Sequence, residues 1–104
     1  MRIIVLLNLK PGKVEADYLE WARGTDLPTV NSLESVAHFQ VLKATSLLGS
    51  DEKPPYQYIE VLDVANMEMF GEETSTEAMH KIAAEFNEWA NPTFILTEDV
   101  GARS

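Results

Sequence analysis

The chain has 104 residues, 45% of them hydrophobic, the size and composition of one globular domain with one core. Seventeen acidic against 8 basic residues give a formal charge of -9, so most of the surface repels a phosphate backbone and nucleic acid is not an expected partner. The chain has no cysteine, which excludes disulfide frameworks, thiolate zinc sites and cysteine nucleophiles together and makes a reducing, cytoplasmic setting the expectation.

Arg2 to Leu9 is β-branched and leucine-rich on both parities, which predicts a central strand covered on both faces. Asn8-Leu9-Lys10-Pro11-Gly12 breaks this run before it reaches signal-peptide length, and no later run reaches the roughly 20 apolar residues of a membrane span, so no membrane partner is expected. After a turn at Lys10 to Lys13, the spacing of Val14, Tyr18, Trp21 and Ala22 predicts a helix over 14–23 that stops at Gly24. Asp26 to Leu33 reads as a connection and Ser35 to Thr45 as a second strand, with Ala37, Phe39 and Val41 on one parity and His38, Gln40 and Leu42 on the other. A polar loop over 48–55 leads to a third strand from Tyr56 to Val64, alternating Gln57, Ile59, Val61 and Asp63 with Tyr58, Glu60 and Leu62. A short helix is predicted over 66–73. A longer one starts near Thr74, which has capping-box spacing to Glu77, and buries Met79, Ile82, Ala83, Phe86 and Ala90. Asn91-Pro92 ends it, and Thr93 to Glu98 forms the last strand.

This β-α-β-β-α-β order predicts an α+β, ferredoxin-like fold, a four-stranded antiparallel sheet with both helices on one face. Ile4, Leu6, Leu42, Leu62, Phe94 and Leu96 are expected on the other face, where they leave an apolar surface that a second copy covers most simply, giving a homodimeric barrel.

The candidate acids and bases are Asp26, His38, Tyr58 and Glu60. Asp26, beside Leu27-Pro28, is either an acid or base at the mouth of a cleft between sheet and helix or a turn residue bonded to nearby amides. Glu60, flanked by Ile59 and Val61, is expected to point into the apolar barrel side, where burial raises its pKa. The alternative for it is a buried ion pair with Arg2 or Lys43. His38 reaches Tyr58 and Glu60 if the strand register allows it. Tyr18, Trp21, Phe39, Gln57 and Phe86 are the expected substrate-binding residues, the aromatic ones suited to stacking on a flat ring and also to ordinary core packing. The two histidines share no ligand spacing, and no Gly-rich phosphate loop precedes a helix, so neither metal nor other cofactor is expected.

Trp21-Ala22-Arg23, Asp26, Thr29, Leu33-Glu34-Ser35-Val36, Phe39, Tyr58 to Val64, Ala84-Glu85-Phe86 and Pro92-Thr93-Phe94 together carry a resemblance that spans nearly the whole chain. It resembles the EthD-like dimeric α+β barrel proteins, and among them the RedY and HapK-like proteins of prodigiosin-type pigment biosynthesis. That resemblance implies a homodimer that acts on, or binds, a small aromatic, pyrrolic or polyketide-like pathway intermediate. Two classes of function follow: a cofactor-free cyclase, isomerase or dehydratase, or a non-catalytic dimer that shelters a reactive intermediate.

Overall fold

The computed structural model describes residues 1–101. Strand β1 spans Arg2–Leu7. It is followed by helix α1 (Glu15–Trp21), a π-helical segment (Ala22–Asp26) and helix α2 (Leu27–Asn31). Strands β2 (Val36–Lys43) and β3 (Tyr58–Val64), helices α3 (Met67–Glu73) and α4 (Glu77–Trp89) and strand β4 (Thr93–Leu96) complete the order. The strands form one antiparallel sheet in the order β2-β3-β1-β4, the ferredoxin-like arrangement.

The register decides which side chains lie under the helices. Ile3 opposes Leu62 and Leu96, and Val5 opposes Glu60 and Phe94. Directly opposed residues share a face. Ile3, Val5, Leu7, Tyr58, Leu62 and Val64 are accordingly buried together with Tyr18, Ala22 and Phe86 from the helices. The expected assignment of faces is corrected here. Leu62, Phe94 and Leu96 lie on the helix side, and Glu60 lies there too rather than on the barrel side. Ile4, Leu6 and Leu42 do occupy the opposite face, where Ile59, Val61 and Ile95 join them. Both parities of β1 and β3 are apolar enough that alternation gave the two faces without saying which was which. A bulge at Ala37, between Val36 and His38, lets Val36 and Phe39 both reach the helix side despite their odd spacing.

The expected helix stop at Gly24 is also overturned. The backbone stays helical from Glu15 to Asn31, and the Leu27 amide donates to the Ala22 carbonyl five residues back, the signature of a π turn. Pro28 sits in the first turn of α2, where its missing N–H is tolerated, and the π turn loosens the preceding carbonyls that a proline ring would otherwise strike. A glycine within a helix costs only about 1 kcal/mol, which burial of Tyr18, Ala22 and Val30 along the same helical stretch offsets. Gly12, with φ +85, turns the chain between β1 and α1 in a conformation that favours glycine.

The cap of the last helix falls two residues later than expected. Thr76, not Thr74, accepts from the Met79 amide at 3.3 Å, while the Thr74 hydroxyl donates back to the Phe70 carbonyl at 2.8 Å and closes α3. Glu73, at the end of α3, accepts from the Glu34 and Ser35 amides at 3.0 and 2.9 Å. These two bonds tie α3 to the start of β2 and hold the helix over that end of the sheet.

Candidate functional site

A cavity of about 170 Å³ lies between the helix side of the sheet and helices α3 and α4. The sheet contributes Val5, Phe39, Leu62 and Phe94 to its lining, α2 contributes Val30, and α3, α4 and the turn between them contribute Phe70, Thr74, Met79, Ile82, Ala83 and Phe86. Against these apolar walls stand two carboxyl groups, Asp26 and Glu60, only 5% and 3% exposed.

Each carboxyl arrives there by a local feature of the fold. Glu60 opposes Val5 on the neighbouring strand, so the alternation of β3 aims it beneath the helices. Asp26 ends the π segment. The extra residue in that turn advances the helical phase by about 100°, and with it Asp26 is turned inward.

Among the described residues neither carboxyl has a cation paired with it. Arg2 pairs with Asp63 at 3.7 Å and Lys43 with Glu15 at 2.9 Å, which removes both ion-pair partners considered for Glu60. Burial, reinforced by the negative charge of Asp26, raises the Glu60 carboxyl to about 8, with the Tyr18 hydroxyl pulling the other way. Burial alone raises Asp26 to about 6. Both carboxyls are therefore held above the ordinary carboxylate range, Glu60 further than Asp26.

Tyr18 lies beside this pair, fully buried, with its ring 4.9 Å from that of Tyr58. Burial, then the nearby Glu60 and Asp26 charges, push its phenol well above the ordinary tyrosine range. Neither the Tyr18 hydroxyl nor Glu60 Oε2 completes a hydrogen bond of normal geometry, although the hydroxyl is near enough to favour the Glu60 anion. A hydroxyl buried without a partner adds little to stability. Tyr18→Phe is accordingly expected to leave urea-unfolding stability within about 1 kcal/mol of the native protein and to move the Glu60 titration upward, as followed by NMR. A loss of several kcal/mol would show that the hydroxyl is bonded after all.

The remaining expected site residues are dispersed. Phe39 and Phe86 line the cavity. Trp21 is not in the lining but stacks on Phe86 at 6.0 Å and 12° and donates its indole N–H to Glu85 at 3.1 Å. Tyr58 shares a face with Glu60, but its hydroxyl donates to Glu15 at 2.5 Å and it lines a separate hollow with Arg23 and Lys43. Burial and then the Glu15 hydrogen bond raise its phenol, while that bond and Lys43 lower Glu15. His38 cannot join the cluster: it is exposed on the opposite face, with Nε2 3.3 Å from Gln40 Oε1. Gln57 is exposed, and its side chain accepts from the Leu9 amide at 2.6 Å, so it pins a loop rather than lining the cavity. Among the described residues no three His, Cys, Asp or Glu side chains converge as metal ligands, and no helix is long and apolar enough to cross a membrane.

Phe70, Thr74 and Phe94 were not among the site residues expected from the sequence. The i, i+4 spacing of Phe70 and Thr74 on α3 was the available signal, but a seven-residue helix carries too little periodicity for it to stand out.

The family model described as REDY-like protein HapK matches residues 1–100. No curated protein matches the chain. Among solved structures it is similar to HapK from Hahella chejuensis, at 23% identity and TM-score 0.67 over 100% of this chain and 99% of that one. It is similar to an EthD-family protein from Bacillus halodurans at 14% identity and TM-score 0.66, covering 94% and 99% of the two chains. A protein from Bacteroides fragilis described as dimeric, of unknown function and ferredoxin-like fold, matches at 9% identity and TM-score 0.62 over 90% of each chain. These likenesses establish a shared fold.

Proposed function

From the premise that the chain belongs to the REDY-like HapK family, we propose that it is a small-molecule biosynthesis protein, a cofactor-free cyclase, isomerase or dehydratase in which Asp26 and Glu60 act as a proton-transfer pair. The observation that carries this reading is two carboxyl groups buried against one apolar cavity with no cation paired to either among the described residues, the arrangement that separates the proton affinities of two like groups. Asp26, ionised above about 6, takes a proton from one atom of the ligand. Glu60, protonated below about 8, gives one to another. An isomerisation or ring closure then leaves the ligand's proton count unchanged, a dehydration puts the Glu60 proton on the leaving hydroxyl to form water, and in each case the proton taken by Asp26 passes to Glu60 and restores the pair. Both proton carriers are side chains, so the reaction uses no cofactor.

The ligand in this proposal is an aromatic, pyrrolic or polyketide-like intermediate of a prodigiosin-type pigment pathway, the setting implied by the resemblance of the sequence. The working form is a cytoplasmic homodimer joined through the open sheet face. The almost wholly apolar walls favour one other reading, a non-catalytic dimer that binds and shelters a reactive intermediate.

The test is conversion of the metabolite that accumulates when the gene is deleted. Purified protein is expected to turn it over with a bell-shaped pH dependence centred near neutrality, and Glu60→Gln or Asp26→Asn is expected to slow turnover by about 100-fold or more. Unchanged turnover in both variants overturns the proton-transfer reading. Tight binding without conversion by the native protein selects the sheltering one.

A further inference from the structure

We propose that the cavity selects a flat ligand of one or two fused rings, neutral or cationic, that presents an N–H or O–H donor to the Asp26–Glu60 edge, and that it turns away ligands bearing a carboxylate or phosphate. This deepens, and rests on, the reading of the cavity as the ligand site.

The size limit follows from the volume: about 170 Å³ is below the roughly 300–1,000 Å³ of drug-sized sites. Flatness follows from the four phenylalanines in the lining, Phe39, Phe70, Phe86 and Phe94, which suit ring faces and edges.

The polarity follows from which hydrogen-bonding groups remain free. The polar side chains lining the cavity are Asp26, Glu60 and Thr74, and the Thr74 hydroxyl already donates to Phe70. Glu60 Oε2 has no hydrogen-bond partner. Even with Glu60 protonated, the two carboxyls together offer more acceptor than donor sites, Asp26 being acceptor-only when ionised, and a buried acceptor left unmade is a cost that a donor on the ligand removes.

An anion meets the opposite situation, since it would bring another negative charge into a low-dielectric space beside Asp26. Among the described residues no lysine or arginine lines the cavity. Lys43 and Arg23 belong to the separate hollow beside Tyr58, Lys10 donates to the Asn87 carbonyl, and Lys13 sits over the Trp89 ring.

NMR shift titrations of the full chain at neutral pH with indole, indene and indole-2-carboxylate test this, because indene keeps the shape of indole and lacks its N–H. Indole is expected to shift cavity resonances and to bind at least about tenfold more tightly than indene, the carboxylate is expected not to bind, and Glu60→Leu is expected to shrink the indole preference. Asp26→Leu serves as the second variant should Glu60→Leu not fold. Equal binding of indole and indene, or binding of the carboxylate as tight as that of indole, overturns the donor preference while leaving the cavity as the ligand site. Failure of every probe to shift cavity resonances overturns the site reading and this inference together.

Discussion

Raising the pH from 5 to 9 is expected to lower the melting temperature by at least about 10 °C, the reverse of ordinary acid denaturation. Asp26 and Glu60 have unfolded-state values of 3.8 and 4.5 and are raised to about 6 and about 8 in the fold. A carboxyl raised on folding contributes stability that is fully present below its unfolded pKa and is lost as the pH climbs through its folded one. At about 1.4 kcal/mol per unit, Glu60 alone withdraws on the order of 3–5 kcal/mol between those limits. The groups facing it are Asp26, whose charge adds to the effect, and Tyr18, whose hydroxyl moderates it. Glu60→Gln should therefore melt higher than the native protein above pH 8 and flatten the upper part of the curve. A native melting temperature that rises with pH over this range, or a Glu60→Gln variant destabilised at pH 9, would show that a hidden cation neutralises the pair.

Ile4→Asp and Val61→Asp are expected to convert the proposed dimer wholly to monomer at micromolar concentration. Ile4, Leu6, Leu42, Ile59, Val61 and Ile95 share the face turned away from the helices. Interfaces that join two sheet faces are core-like, so a central carboxylate without a partner costs several kcal/mol in each copy. Light scattering should give twice the 11.6 kDa chain mass for the native protein and the single mass for the variants, with native-like circular dichroism where the monomer survives. Leu62→Asp distinguishes the two faces. Leu62 is buried beneath the helices, so its replacement is expected to unfold the chain rather than merely separate two copies. A native chain that stays a folded monomer would overturn the dimer.

The element order was legible because the chain punctuates itself: Lys10-Pro11-Gly12, the polar loop over 48–55 and Asn91-Pro92 divide apolar runs of plain period. Which face of the sheet met the helices was not legible. Glu60 and Leu62 belong to one alternating set, and Ile59 and Val61 form an equally apolar partner set, so burial of either satisfies the sequence pattern. Only the packing of Tyr18, Ala22 and Phe86 from the helices with Ile3, Val5 and Leu62 decided it. Asp26 and Glu60 could be named from local surroundings, but their meeting at one cavity depended on two long-range facts, that face assignment and a helix that continues past Gly24. His38 failed for the same reason, its parity being right and its face the wrong one for Glu60.

The π turn over Ala22–Asp26 makes the chemistry of the cavity hang on chain length at one place. Removing a single residue there would let Glu15 to Asn31 close into an unbroken α-helix, with the sheet and its order untouched. The rotation of about 100° would carry the Asp26 carboxylate off the cavity wall and leave Glu60 as the only acid. A relative one residue shorter between Trp21 and Pro28 would thus keep the architecture and lose the two-carboxyl site. In comparing such chains, a one-position gap in this helix says more about shared chemistry than many substitutions elsewhere.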